Sequence, residues 1–124
     1  MRNGAKQALK RKISRVIDQK GGDIEAYKEI MDIIWRYLRH VLGSMISTLI
    51  MERCIRLTHE RFPDIQINMT ASGPEIKDLQ ASQQNIDLLK FCIDNVIEFM
   101  EKLGGDTLLK GLSRRLDSKR TDEI

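Results

Sequence analysis

Aromatic side chains are scarce in this 124-residue chain, only 5% of it, so any core must be aliphatic: isoleucine, leucine, methionine and valine. Proline occurs twice, at Pro63 and Pro74, and the stretch from Ile24 to Phe62 contains no proline and a single glycine, Gly43. Long apolar runs are missing too. The most apolar window, Val41 to Met51, falls short of the roughly 20 residues a spanning helix needs, and Arg36, Arg39, Glu52 and Arg53 flank it closely. Met1-Arg2-Asn3-Gly4-Ala5-Lys6 leads into a charged segment, so no secretory signal is expected and a cytoplasmic location fits. The two cysteines, Cys54 and Cys92, sit inside helical apolar patterning. That favours buried free thiols in a reducing compartment and leaves a disulfide open.

Catalytic and metal-binding patterns are also wanting. His40, Cys54, His59 and Cys92 are the soft or nitrogen ligands, and none lie at the three- or four-residue separations that put two ligands on one helical face. Di-iron bundles use Glu-x-x-His, whereas His40 and His59 follow Tyr37 and Arg56 at that spacing. Thiols on apolar faces are poor nucleophiles, and Ser72 lacks the Gly-x-Ser-x-Gly elbow. Gly21-Gly22 and Gly104-Gly105 lack the lysine of a phosphate loop, and Asp23 and Asp106 would repel an anion at the following helix starts. No catalytic, cofactor or metal residues are therefore assigned, and an enzyme is the least expected reading.

Helical periodicity is what the chain does have. Leu9, Ile13, Val16 and Ile17 form one stripe of a helix over residues 5–20, with the basic residues mostly off it. Gly21 suits the left-handed position past a helix end, and Asp23 suits the N-cap of the next helix. Tyr27, Met31, Ile34, Leu38, Val41 and Met45 then step 4-3-4-3-4 without losing phase at Gly43. Taken as one rod, Ile24 to Phe62 would span roughly 58 Å, against a radius of gyration of about 14 Å for a compact chain this long. A bend near Gly43-Ser44 is favoured over a straight helix in an elongated or intertwined assembly. Residues 63–73 read as the one irregular loop. Ile65, Ile67 and Met69 alternate there, but with no second strand evident a sheet is not expected. Ser72-Gly73-Pro74-Glu75 reads as a helix start. The ladder Leu79, Ser82, Ile86, Leu89, Ile93, Val96, Met100, Leu103 follows.

The expected fold is thus all-α, one domain over residues 1–124. It is an antiparallel bundle of four main helices (5–20, 24–42, 44–62, 75–103) with a short C-terminal helix at 106–116 and a tail at 117–124. Apolar residues cover most of the circumference of 44–57, more than so short a chain can bury. Met45, Ile46, Leu49, Ile50 and Ile55 are therefore candidates for a homodimer interface.

Charge supplies the remaining signal. Residues 1–20 hold seven bases against Asp18, and residues 110–120 hold five against Asp117, so with a net charge of +3 the middle is acidic. Lys6, Lys10, Arg11, Lys12, Arg15, Arg114 and Arg115 are candidate contacts for an anion or a nucleic-acid backbone. Equally, basic ends can pair with an acidic middle, within one chain or between two. Arg36, Arg39 and Arg53 are expected to reach solvent or pair with Asp32 and Glu52 rather than to line an anion pocket. The first expectation is a non-enzymatic protein-interaction or regulatory module acting through oligomerisation. A nucleic-acid clamp comes second. An apolar small-molecule sensor, with a pocket near Trp35, Tyr37 and Met45, comes third.

Overall fold

The computed structural model describes residues 4–63, 67–70, 73–76 and 83–122, and among them the protein is almost entirely helical. Helix α1 spans Gly4–Gln19, α2 Ile24–Arg61 and α3 Gln83–Asp122, with a small antiparallel hairpin of β1 (Ile67–Thr70) and β2 (Gly73–Ile76) between α2 and α3. Leu9, Ile13, Val16 and Ile17 bury the stripe of α1. Its end has the hydrogen bonds of a glycine-terminated helix. The Gly22 amide donates to the Ile17 carbonyl at 2.9 Å and the Gly21 amide to the Asp18 carbonyl at 3.2 Å, with Gly21 at φ 102°. Asp23 caps α2, its carboxylate accepting from the Ala26 amide at 3.1 Å.

Three helical elements stand where four plus one were expected, because each interruption takes a single residue. Gly43 inside α2 has φ 83° and ψ 166°, and Gly105 inside α3 has φ 56° and ψ −145°, conformations that a side chain resists. The bend expected at Gly43 is present and severe. Ile24, at the start of α2, shares an apolar cluster with Ile55 and Phe62 near its far end. A straight helix of 38 residues would hold those ends roughly 57 Å apart at about 1.5 Å per residue. So α2 doubles back on itself.

The second half of α2 then lies along the first half of α3 in opposite directions. The Arg53 guanidinium sits 5.8 Å from the Phe99 ring centre and that of Arg61 5.7 Å from the Phe91 ring centre. Between them Met51, Cys54, Cys92, Ile93, Val96 and Met100 form the core. Beyond Gly105, α3 continues to Asp122, six residues past the expected helix end at 116, and Leu108, Leu109, Leu112 and Leu116 are buried. The Tyr37 hydroxyl donates to the Leu108 carbonyl at 2.8 Å.

The hairpin corrects the expectation of a loop over 63–73 followed by a helix from 75. Ile67 pairs with Ile76, Asn68 with Glu75, Met69 with Pro74 and Thr70 with Gly73. Pro74 is compatible with a helix start and equally with a two-stranded edge, where its missing N–H costs nothing. What selects the strand is tertiary. Gly73, at φ 115°, lies flat on Trp35, so that a Cβ there would come 3.0 Å from the indole Cδ1. Among the described residues α3 runs from Gln83, and 75 and 76, expected to be helical, lie in β2; Ile65, Leu79 and Ser82 lie outside the described residues.

Candidate functional site

Large apolar side chains should be buried, and most here are. Among the described residues five are exposed: Met45 is 76% exposed, Leu49 58%, Leu103 57%, Val41 47% and Ile46 42%. Four of them flank the bend at Gly43 and the fifth precedes the bend at Gly105. The antiparallel run of α2 against α3 brings these together. Leu49 is one turn before Arg53 and Leu103 one turn beyond Phe99, so they fall side by side. The five lie at the end of the molecule where both helices turn, an end patched with exposed apolar side chains.

Of the five interface candidates, Met45, Ile46 and Leu49 lie in this patch. Ile50 does not: one residue on from Leu49, about 100° further round the helix, it faces the core at 7% exposure. Ile55 is half-buried and packs against the core. Val41 and Leu103 are not among the interface candidates, because each follows a run of ladder residues that is buried, up to Leu38 and up to Met100. Ser47, buried beneath the patch, donates to the Gly43 carbonyl at 2.7 Å and to that of Ser44 at 3.2 Å, which ties the bend to the helix that follows.

The basic candidates are placed differently from one another. The Lys6 ammonium bonds Glu98 at 3.0 Å and Glu101 at 3.2 Å, and these contacts, Glu98 first, hold its pKa above the ordinary lysine value. Lys12 meets Asp117 at 2.7 Å and the Ser113 carbonyl at 3.5 Å. Lys10 reaches Glu98 only at 4.0 Å. Arg11, Arg15, Arg114 and Arg115 are exposed. The clamp residues therefore divide into lysines that contact acidic groups of α3 and arginines that face solvent. Arg36 pairs with Asp32 at 3.2 Å, as expected, and Arg39 lies 5.7 Å from the Trp35 ring centre.

Cys54 and Cys92 are free, fully buried thiols. Burial pushes Cys92 up to about 11, a bond with Thr58 acting the other way, and burial drives Cys54 higher still. Neither can supply a thiolate near neutral pH. Trp35 and Tyr37, proposed as pocket walls, are packed under Gly73 and against Gly111, while Met45 points to solvent, so the three enclose no common site. Among the described residues no group of three or more His, Cys, Asp or Glu could hold a metal ion, and no helix is long and apolar enough to cross a membrane. Comparison with known proteins gives no relative: no family model, no curated protein and no solved structure matches this chain.

Proposed function

We propose that this chain is a non-enzymatic interaction or regulatory module of the cytoplasm. In this reading it is an antiparallel helical bundle, its rods divided at Gly43 and Gly105, that pairs with a second copy of itself through the patch of Val41, Met45, Ile46, Leu49 and Leu103. The exposure of these five residues carries the reading. Together they present on the order of 500 Å² of apolar surface, at the upper end of what a monomer leaves uncovered. A stable interface buries about 800 Å² per partner, so the patch would form its centre and the surrounding polar residues its rim. That rim carries both signs, with Arg39 and His40 before the bend and Glu52 after it, and Lys102 and Asp106 beside Leu103. A two-fold contact sets a surface against itself, so a mixed rim is what it requires.

The test is light scattering on size-separated protein over a wide dilution series, comparing the native chain with Met45→Glu/Leu49→Glu. Both positions are exposed, so the substitutions leave the core intact. A native dimer that becomes a folded monomer in the variant is the expected result. A native monomer at every concentration refutes the reading. The nucleic-acid clamp has less in its favour, since Lys6 and Lys12 are engaged within the chain. Salt-sensitive co-elution of nucleic acid in the same experiment would put it first.

A further inference from the structure

Helix α2 keeps the register of a straight rod through its own bend. Ile30, Ile33 and Tyr37 before Gly43, and Ser47, Met51 and Cys54 after it, are all buried. Counted as one helix through His40 and Ser44, they step 3-4-3-4-3-4-3, the spacing that keeps residues on one face. His40 and Ser44, the two members beside the bend, are exposed. The neighbouring stripe behaves alike: Ile34 and Leu38 are buried, whereas Val41 and Met45, in phase with them, are exposed. A bend by itself requires no match of phase between its two arms. On both stripes the uncovered residues are those at the bend, and straightening α2 would make each stripe continuous.

The joint is simple as well. Residues 4–42 connect to those from 44 onward only through Gly43, where a Cβ would meet nothing within 4 Å. Across this joint Lys6 meets Glu98 at 3.0 Å, the Tyr37 hydroxyl donates to the Leu108 carbonyl at 2.8 Å, and Trp35 lies beneath Gly73. Each of these contacts has the same geometry whether one copy of the chain supplies both sides or two copies supply one side each.

We infer that two copies of this chain pair by exchange. Helix α2 straightens at Gly43, and α1 with the first half of α2 from one copy packs on the second half of α2, the hairpin and α3 of the other. The inference rests on the self-association proposed above and says how it is made. A straight α2 holds its ends roughly 57 Å apart, so its two halves can no longer share one core, and a second copy must supply the missing surface. Exchange of an identical element remakes the contacts of the closed chain, which is why it costs little, and a short strained joint favours it. It also adds a contact. Where the two straight helices pass each other about the two-fold axis near Gly43, Val41 and Met45 of both copies meet and leave water.

The test places nitroxide labels at Glu25→Cys and Glu60→Cys, two exposed positions, the native thiols being buried. Labelled chain is refolded with a large excess of unlabelled chain, so that pulsed dipolar spectroscopy reads distances within single chains. The monomer fraction should give the short distance set by the cluster that Ile24 and Phe62 share. The dimer fraction should give about 50 Å. Gly43→Ala, whose side chain disfavours the bend and favours the helix, should strengthen dimerisation about tenfold or more. A dimer that keeps the short distance would overturn exchange while sparing self-association. A monomer at every concentration, in the native chain and in Gly43→Ala alike, would overturn both.

Discussion

At the scale of single residues, Gly111 and Tyr37 show how closely one contact can constrain a position. A Cβ built on Gly111 would overlap the Tyr37 hydroxyl, which donates to the Leu108 carbonyl one turn earlier in α3. Gly111 is the space that lets the phenol reach the helix backbone. Gly111→Ala should therefore destabilise the fold by about 1–3 kcal/mol through overpacking, despite the better helix propensity of alanine. Tyr37→Phe removes the clashing oxygen and should recover part of that loss, a coupling that a double-mutant cycle in denaturant would read directly. The buried thiols give a pH dependence of definite sign. Each holds its proton more tightly in the folded chain than in the unfolded one. Their stabilising contribution is complete below pH 9, the ordinary value for the thiol, and for Cys92 it is lost as the pH rises from there to about 11. Cys92 alone accounts for about 3 kcal/mol over that window. Denaturant unfolding at successive alkaline pH values should show native stability falling and Cys92→Ala falling less steeply from a lower start. Equal slopes would mean that the thiol titrates no differently in the folded protein. Tyr37, raised by burial against the pull of Arg114 and Arg115, titrates in both chains and cancels in the comparison.

At the scale of elements, the bends matter more than the helices. Gly43 meets nothing within 4 Å where a Cβ would sit, so a side chain there costs only backbone strain. Gly43→Ala should lower stability by about 1–3 kcal/mol, and Ser47→Ala, which strips the hydroxyl from the Gly43 carbonyl, by about 1 kcal/mol. Because both act on one turn, the double variant should lose less than the two separately, measurable by chemical denaturation. The same bend explains where sequence patterning succeeds and fails. Residues up to Leu38 follow the heptad ladder into the core. Val41 and Met45 continue it in phase and are nonetheless exposed, since the ladder describes a straight helix and the helix turns at Gly43. Leu103 closes its own ladder just before Gly105 and suffers the same fate. Terminators were legible because they are local chemistry: Gly21, Asp23 and Gly43 each act within one turn. The hairpin was not legible, because Gly73-Pro74 suits a helix start as well as a strand, and only Trp35, far away in sequence, decides between them.

At the scale of the whole molecule, the charge asymmetry is settled in part inside the chain. Basic α1 lies on the acidic part of α3 through Lys6, Glu98 and Glu101, and Lys20 reaches Glu29 at 3.1 Å. Yet those ion pairs do not hold α1 in place. Lys6 and its two carboxylate partners keep part of their surface in water, and ion pairs so placed contribute little and weaken with salt. Beneath them Leu9, Ile13, Val16 and Ile17 are buried in the main core, and a fully buried leucine is worth several times as much. The two contributions can be separated by one comparison. Lys6→Gln should cost little and should make the remaining stability less sensitive to added salt. Leu9→Ala should cost about 2–5 kcal/mol at any ionic strength. Denaturant curves at low and high salt distinguish these outcomes. A large, salt-sensitive loss in Lys6→Gln would mean that α1 is docked by charge. It would also return the basic helix to the list of surfaces that an anionic partner could peel away.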